Sequence, residues 1–498
     1  MTDVAVVGAG AVGLTLAGRL AQHGADVTLF ESSDARERVG SRAICMQRET
    51  LEIWARLGIG EAVAERGIQW RIGRTYFRGR ELFSVELPGA TGEHFPPFVN
   101  ISQSEVEERL TDRVRGLGVE VRHGHELIGL VQDEGGVSAT FATEGGEVAH
   151  RSSFLVGTDG AHSAVRHAVG IGFDGYTFDD RFLIADIRAE LPFTNERHFH
   201  FDPPWNPGRQ VLIHPQPDGI WRIDWQVPSE TDADAERVNG GVDRRIRAVI
   251  GGETPYDLVW VTGYRFSQRL ADAFRAGRVF LAGDAAHVMS PFGARGLNSG
   301  IADAENLAWK LASVVRGDAP PALLDTYEAE RRPAALANLA ATDATMRFMA
   351  PHGRLRRTRR DLILRLAPRF GWFRHQVDSG RLAEPAAYAA SSIVSADPGR
   401  DALPRHGGVA PDAAMPGRGR LRDRLGGGYI VVVQRPTRLP APTVIVGPDS
   451  VYGDERAWLL RPDGYVADSC PLDRAGAHTW RGLWITGSPA SEFVDKGA

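Results

Sequence analysis

Residues 3–31, "DVAVVGAGAVGLTLAGRLAQHGADVTLFE", decide the fold of this protein. An apolar run at 4–7 leads into a glycine-rich turn at 8–13, and an amphipathic helical pattern follows it. A second apolar run at 27–30 ends in Glu31. Strand, glycine turn, helix and strand in this order predict the start of a doubly wound, parallel α/β sheet.

The turn reads Gly8-Ala9-Gly10-Ala11-Val12-Gly13 and fits the pattern GxGxxG. Gly8 allows the tight turn, Gly10 lets a pyrophosphate approach the N–H groups at the helix N-terminus, and Gly13 allows close packing of the helix on the strand. Glu31 can accept hydrogen bonds from both hydroxyls of an adenosine ribose. The pattern predicts dinucleotide binding and does not by itself distinguish FAD from NAD.

Length and composition exclude several classes of protein. The 498 residues are enough for two or three domains, and 43% hydrophobic with 24% charged residues is typical of soluble proteins. A net charge of −5 gives no basic field for nucleic acid. No apolar run reaches the roughly 20 residues that span a bilayer, and no basic leader precedes residues 4–7, so a cytoplasmic protein is expected. Two cysteines, Cys45 and Cys470, cannot build a disulfide framework or a cysteine zinc site, and no metal is expected.

Two later stretches repeat the arrangement of a strand that ends in a glycine turn. In "FLVGTDGAHSAVRHAVGI", residues 154–171, a strand ends at Asp159-Gly160 and a helix follows. In "GRVFLAGDAAHVMSPFGARGLNSGIADAENLAWKL", residues 277–311, a strand ends at Gly283-Asp284 before a Gly/Ala-rich loop and a helix. Together these three motifs, in this order, resemble the class A flavoprotein monooxygenases, the aromatic hydroxylases built like para-hydroxybenzoate hydroxylase. The resemblance covers residues 3 to about 332.

The resemblance implies FAD as the bound cofactor. Asp284 would accept hydrogen bonds from the ribityl chain, while Pro291 and the following loop would lie beside the isoalloxazine. Asp159 and Gly160 would serve the pyrophosphate region and access for NAD(P)H. The cofactor-binding residues implied by the motifs and the resemblance are Gly8, Gly10, Ala11, Val12, Gly13, Glu31, Arg42, Gln103, Leu127, Asp159, Gly160, Asp284, Pro291, Gly296, Leu297 and Asn298.

The reductant implied is NADPH or NADH. No second GxGxxG stands in a strand–turn–helix context, so no separate nicotinamide domain is expected, and the resemblance implies that the nicotinamide binds transiently. One position departs from the common family loop. Residues 293–298 read GARGLN, with Arg295 in place of a small glycine. Two interpretations stay open for Arg295: contact with the substrate or the flavin edge, or an arginine that faces solvent.

Residues 176–264 change to a strand pattern, as in "IWRIDWQV", where apolar and polar residues alternate. This alternation predicts a half-buried sheet, and the resemblance implies that the sheet roofs the flavin and forms the substrate pocket. The pocket residues expected there are His214, Trp225, Phe292 and Gly293. His214 and Arg295 are the candidate catalytic residues, although a lone strand histidine is more often a core or surface residue.

The expected fold is α/β. A Rossmann-like FAD-binding domain of the GR2 type would comprise residues 1–175 and 265–385, and the substrate-binding sheet would be inserted at 176–264. Residues 400–498 resemble the thioredoxin-like tail of larger phenol hydroxylases in this family. Without a CxxC motif this tail cannot perform disulfide chemistry, so it is expected to be structural or to form a homodimer.

The expected function is an FAD-dependent, NAD(P)H-consuming monooxygenase. It would use dioxygen, through a C4a-hydroperoxyflavin, to hydroxylate a small phenolic or aromatic substrate such as a polyketide. A Baeyer–Villiger or epoxidising oxygenase of the same fold is the alternative. A flavin halogenase fits less well, because the tryptophans of "WRIDWQVP" are four residues apart rather than two and the only lysines are Lys310 and Lys496. A non-catalytic FAD-binding protein is the remaining alternative.

Overall fold

The computed structural model of the protein describes residues 1–34, 43–86, 94–193, 195–349, 351, 353–367, 384–396, 404–417, 419–437, 439 and 442–480. The helices in chain order are α1 (Ala11–Gln22), α2 (Arg48–Leu57), α3 (Gly60–Arg66), α4 (Gln103–Gly116), α5 (Ala164–Ala168), α6 (Ala233–Val238), α7 (Gly241–Ile250), α8 (Gly296–Val315), α9 (Asp325–Met349) and α10 (Arg354–Leu366).

The strands in chain order are β1 (Thr2–Val7), β2 (Val27–Phe30), β3 (Cys45–Gln47), β4 (Ile72–Phe77), β5 (Arg80–Glu86), β6 (Phe98–Asn100), β7 (Glu120–Arg122), β8 (Glu126–Asp133), β9 (Gly136–Thr143), β10 (Gly146–Gly157), β11 (Phe173–Arg188), β12 (Glu196–Phe201), β13 (Gln210–Pro215), β14 (Ile220–Val227), β15 (Asp257–Ala271), β16 (Arg275–Ala276), β17 (Val279–Leu281), β18 (His287–Val288), β19 (Ile430–Val433), β20 (Thr443–Ile445), β21 (Arg456–Leu460) and β22 (Val466–Pro471).

The first sheet is built around a parallel core. Its strand order is β16-β17-β10-β1-β2-β7, and the pairs β17/β10, β10/β1, β1/β2 and β2/β7 are all parallel. Strands β8 and β9 extend β10 as an antiparallel meander. The helix α1 packs on this sheet, and α8 packs on α1. The parallel α/β sheet predicted from residues 3–31 is confirmed, and the ends of β1, β10 and β17 lie side by side.

The second sheet has eight strands in the order β18-β15-β11-β14-β13-β12-β4-β5. Its pairs are antiparallel except β12/β4, which is parallel. The sheet is therefore larger than the predicted insertion at 176–264, because β4 and β5 join it from residues 72–86. A parallel pairing over more than 100 residues leaves no local sequence signal, since the two strands share no turn.

A third sheet, with the order β20-β19-β21-β22, forms the described part of the C-terminal region. Strand β19 pairs in parallel with β20 and antiparallel with β21. A thioredoxin-like fold for residues 400–498 stays a prediction. In the part of the chain that the structure describes, no helix is both long and apolar enough to cross a membrane.

A buried cluster of charges joins the C-terminal sheet to the first domain. Arg461 donates two hydrogen bonds to Glu330 of α9, at 2.7 and 2.9 Å, and further bonds to Asp463. Lys310 of α8 donates to Glu330 at 2.7 Å. The side chains of Lys310, Glu330 and Arg461 are 0% exposed. Trp309 of α8 adds a bond to Asp463 at 3.1 Å, so one network holds three elements together.

Removal of Arg461 from this network would leave the charge of Glu330 buried with fewer partners. We expect Arg461→Met to lower the free energy of unfolding by about 3–5 kcal/mol, measured by urea unfolding followed by tryptophan fluorescence. The matched control is Arg435→Met in the same region, because Arg435 pairs with Asp454 at the surface. That control should cost less than about 1 kcal/mol. Equal losses in the two variants would show that the buried network does not hold the C-terminal sheet in place.

Candidate active site

The glycine turn between β1 and α1 is shaped by close backbone contacts. Gly8 has φ +105°, and a Cβ on Gly13 would lie 1.9 Å from the carbonyl oxygen of Gly8. Neither position can hold a side chain. At Gly10, by contrast, a Cβ would meet only Glu107, at 3.7 Å from its Oε1. The space in front of the α1 N-terminus is therefore open, and it is the region that a pyrophosphate would need.

Glu31, at the end of β2, closes the same turn. Its Oε2 accepts a hydrogen bond from the N–H of Ala9 at 2.8 Å, and its Oε1 accepts one from the N–H of Ser33 at 3.0 Å. Burial opposes ionisation, but these N–H donors outweigh it and hold the pKa of Glu31 below its ordinary value. Glu31 is thus a fixed anionic acceptor beside the turn, as the sequence predicts.

Asp159 acts mainly on its own helix. Its carboxylate accepts hydrogen bonds from Ser163 Oγ at 2.6 Å and from the N–H of Val165 at 3.0 Å, where α5 begins. Burial raises the pKa of Asp159 despite these donors. Arg166 of α5 then donates to the carbonyl oxygen of Ala285 at 3.0 Å. The second and third glycine turns are therefore tied to each other, and Gly160 lines the cavity described below.

The third turn is held by Asp303, a residue of α8 that sequence reasoning missed. The Asp303 carboxylate accepts the N–H of Gly283 at 3.0 Å, lies 2.7 Å from Nε2 of His287, and accepts from Nε of Arg331 at 2.6 Å. Burial opposes ionisation of Asp303, but Arg331 and His287 keep its pKa below the ordinary value. Asp284 follows Gly283 directly and is exposed towards the cavity. A signal for this role existed, since Asp303 stands among the apolar residues Ile301, Ala302 and Ala304 in the sequence of α8.

The loop at residues 291–298 meets the N-terminus of α8. Ala294 adopts φ +52°, in the left-handed region. The side chain of Asn298 accepts from the N–H of Gln47 at 2.9 Å and from Thr50 Oγ1 at 2.7 Å, and it donates to the carbonyl oxygen of Cys45 at 3.0 Å. Asn298 therefore ties the loop to β3 and α2, and it fixes the backbone that faces the cavity.

Arg295 is held on the protein side of this loop. Its guanidinium donates to Asn338 of α9, and burial lowers its pKa although Glu384 opposes the shift. This placement corrects the interpretation of Arg295 as an arginine that faces solvent. Arg295 also lines the cavity, which leaves contact with a ligand open.

Three more of the predicted residues have distinct outcomes. Gln103, at the start of α4, lines the cavity and donates to Glu107 at 2.9 Å. Glu107, which sequence reasoning missed, also accepts the N–H of Ala11 at 3.0 Å. Leu127 is buried in the main core, and a role for its backbone beside an adenine stays a prediction. Arg42 lies outside the described residues.

One cavity of about 570 Å³ joins these parts. Its walls are the N-terminus of α1, the turns at 158–160 and 284, the loop at 291–298, and one face of the second sheet. The sheet wall is mostly aromatic and aliphatic. Its side chains include Phe83, Val85, Phe182, Ile184, Phe199, Leu212 and Phe266, with His214, Arg222 and Asp224 as polar groups.

The face of β14 that lines the cavity is the opposite of the predicted one. Trp225 packs with Trp221 and Ile223 against Val242 and Ile246 of α7, away from the cavity. The prediction for Trp225 is therefore wrong. The alternation of "IWRIDWQV" was read correctly, but α7 covers the apolar face, and a local pattern cannot show which face a distant helix covers.

His214, Phe292 and Gly293 line the cavity, and their contact with a substrate stays a prediction. Burial, together with the nearby charges of Arg197 and Arg222, lowers the pKa of His214 well below its ordinary value. His214 is therefore a neutral imidazole at physiological pH. Its Nδ1 is buried and has no hydrogen-bond partner among the described residues. A neutral histidine of this kind suits a hydrogen bond to a ligand better than proton abstraction.

Comparisons with known proteins agree with this geometry. A sequence model of the FAD binding domain family matches residues 1–342. A flavin-dependent monooxygenase of Mycobacteroides abscessus is 33% identical over 492 residues, covering 93% of this chain and 96% of the relative. A dialkyldecalin synthase of Streptomyces rugosporus is 33% identical over 502 residues, covering 97% and 99%. The solved ternary complex of aklavinone-11 hydroxylase with FAD and aklavinone is similar at a TM-score of 0.80 and 26% identity, over 97% and 98% of the two chains.

The family match confirms the resemblance on which the three glycine turns were interpreted. FAD is the bound cofactor, NAD(P)H supplies the electrons, and the enzyme is a monooxygenase. The open space at Gly10, the fixed anion at Glu31 and the loop at the α8 N-terminus fit such a cofactor. The chain belongs to the FAD binding domain family of class A flavoprotein aromatic hydroxylases.

Proposed function

We propose that FAD lies along the ends of β1, β10 and β17. Its adenosine ribose would contact Glu31, its pyrophosphate would approach the N–H groups of residues 10–12, and its ribityl chain would contact Asp284. The isoalloxazine would then lie beside the loop at 291–298, where the first N–H groups of α8 favour negative charge on the reduced ring. The observation that carries the proposal is the cavity that joins residues 10–12, Asp284 and the loop at 291–298 to the second sheet.

The substrate we propose is a phenolic aromatic compound, including polycyclic polyketides. The sheet wall of the cavity offers aromatic and aliphatic side chains for a flat ring system, and it places a few polar groups among them. The similarity to an aklavinone hydroxylase supports a polycyclic substrate. The flavin would supply the activated oxygen, and the apolar wall would exclude water from the reaction.

The alternatives differ in how well they fit. Lys310 is fully buried against Glu330 and Asn306, so it cannot relay a halogen to a substrate, and Lys496 lies outside the described residues. A relative of equal identity is a dialkyldecalin synthase, so the product has to be identified directly. Baeyer–Villiger oxidation or epoxidation would also add one oxygen, but to a different position. The sequence analysis names NADPH or NADH without choosing between them. The homodimer and the cytoplasmic location stay predictions.

We expect phenols to accelerate reduction of the flavin by NADPH or NADH and to gain one hydroxyl group. The test panel is 1-naphthol, 3-(3-hydroxyphenyl)propionate and 1,8-dihydroxyanthraquinone, with stopped-flow reduction and mass spectrometry in ¹⁸O₂. Products 16 mass units heavier in ordinary oxygen and about 18 in ¹⁸O₂, located on the ring by NMR, would support hydroxylation. Oxygen inserted next to a carbonyl would favour the Baeyer–Villiger alternative. Coenzyme oxidation without any oxygenated product would overturn the proposal.

The glycine turn allows a test of the proposed FAD position. Gly10→Ala has room within the protein, so the variant should fold, but its methyl group would occupy the space of the pyrophosphate. We expect its affinity for FAD to fall by about tenfold or more, equal to at least about 1.4 kcal/mol. Visible absorbance of the purified protein and titration with FAD measure this loss.

Two further variants complete this comparison. Gly13→Ala should fail to fold, because its Cβ cannot avoid the Gly8 carbonyl oxygen. Gly116→Ala, in α4, has no atom within 4 Å of the added Cβ and should keep both fold and FAD. A folded Gly10→Ala variant with unchanged FAD affinity would show that the pyrophosphate lies elsewhere.

A further inference from the structure

Asp224 is a carboxylate in an apolar part of the cavity wall. It lies on β14, and its partners across the sheet are Leu212 of β13 and Ile184 of β11. All three residues line the cavity. Residues directly opposite each other in a sheet share one face, so Asp224 has an aliphatic neighbour on each side. Sequence reasoning did not select Asp224, because it placed this face of β14 away from the pocket.

One oxygen of the Asp224 carboxylate lacks a donor among the described residues. Its Oδ1 is buried and has no hydrogen-bond partner among the residues that the structure describes. A buried acceptor without a donor costs about 1–3 kcal/mol, and proteins rarely retain one without a reason. Since Asp224 also borders the cavity, a ligand that carries a hydroxyl group can supply the missing donor.

The charge of Arg222, two residues before Asp224 on β14, is directed to another carboxylate. Arg222, on the same face of β14, donates from Nε and Nη2 to both oxygens of Asp186, each at 2.8 Å. Gln216 adds a third bond to Asp186 at 3.2 Å. The charge of Arg222 is therefore largely neutralised by Asp186. Burial raises the pKa of Asp224 to about 7, with Arg222 opposing the shift and Asp186 adding to it.

The other ionisable residues of this sheet that line the cavity are His214 of β13, Arg197 of β12, Tyr264 of β15 and Arg74 of β4, and Arg74 pairs with Glu196 and Glu81. His214 lies opposite Arg222, and its pKa is well below the ordinary value, so it stays neutral. A base works best when its pKa is near the operating pH. Of the two groups on this wall that lack a partner, Asp224 meets that condition and His214 does not.

We propose that Asp224 is a catalytic base that takes the proton from the substrate's phenolic hydroxyl, an inference that rests on the proposed function. The O–H bond of the phenol breaks and an O–H bond forms on the carboxylate. The electron pair stays on the phenolate oxygen and raises the electron density at the ortho and para carbons. The step needs no oxidant or reductant. The neutral His214 imidazole can then donate a hydrogen bond from its N–H to the phenolate oxygen.

The pH dependence follows from the raised pKa. Asp224 becomes a carboxylate, and hence a base, as the pH rises through about 7. The rate of hydroxylation should therefore increase over that range. An ordinary aspartate, with a pKa near 4, would already be ionised and would give a flat profile there.

The experiment compares the wild type with Asp224→Asn, which keeps the shape of the side chain and cannot accept the proton. The substrate is whichever phenol of the panel the wild type hydroxylates fastest. We expect the single-turnover rate of hydroxylation to fall about 10²–10⁴-fold, with loss of the rise near pH 7. The FAD content of the purified protein should not change. The control is Asp174→Asn, an exposed carboxylate of β11 outside the cavity.

A second measurement follows the proton directly. Hydroxyanthraquinones change colour on ionisation, so the absorbance of bound 1,8-dihydroxyanthraquinone reports its phenolate form. The wild type should ionise this ligand at lower pH than the Asp224→Asn variant does.

A third variant, Asp186→Asn, should have its rise in rate at lower pH than the wild type. It removes a negative charge near Asp224 and leaves Arg222 to lower the pKa of Asp224. If Asp224→Asn hydroxylates with the wild-type rate and pH profile, the assignment of Asp224 is overturned and the proposed function stands. If the wild type hydroxylates no phenol while FAD is bound, the proposed function fails and the inference fails with it.

Discussion

The Asp303 carboxylate is the contact on which the flavin site depends. This fully buried carboxylate is hydrogen-bonded to Gly283, His287 and Arg331. Gly283 follows the end of β17, His287 lies on the short strand β18, and Arg331 lies on the long helix α9. Because an ionised carboxylate in the core must keep its donors, the turn that carries Asp284 cannot drift from α8. Arg166 joins the second turn to the third through Ala285. The three strand ends therefore form one rigid edge rather than three separate loops.

Local sequence patterns were sufficient for β1, α1 and β2 and for the glycine turns, because those features need only residues close together in the chain. Gly8, Gly10 and Gly13 show their roles through spacing alone. The sheet wall of the cavity was harder to predict. The alternation in β14 is clear in the sequence, yet the side that faces the cavity depends on α7 and on β13, which the pattern does not contain. Trp225 was misplaced for that reason, and Asp224 was missed for the same reason.

The residues that hold the site and the C-terminal sheet in place were also hard to predict, because their partners are distant in the chain. Asp303, Glu107 and Arg461 each act on a partner at least 20 residues away in the chain. One sequence gives no sign of such pairs beyond a charged residue where an apolar one is expected. The C-terminal sheet could be recognised as strands, but its attachment to α8 and α9 through Glu330 could not. That attachment makes the tail part of the flavin domain's core, so its loss would expose charges that water does not reach in the folded protein.

The burial of Lys310 has a consequence for labelling this molecule. The chain has two lysines, and Lys310 is enclosed with its amine bonded to Glu330 and Asn306. Reagents that acylate amines would therefore react with Lys310 only after the helices around it separate. The rate of Lys310 modification, measured by peptide mapping, would therefore report the rate at which the flavin domain opens, without an engineered probe.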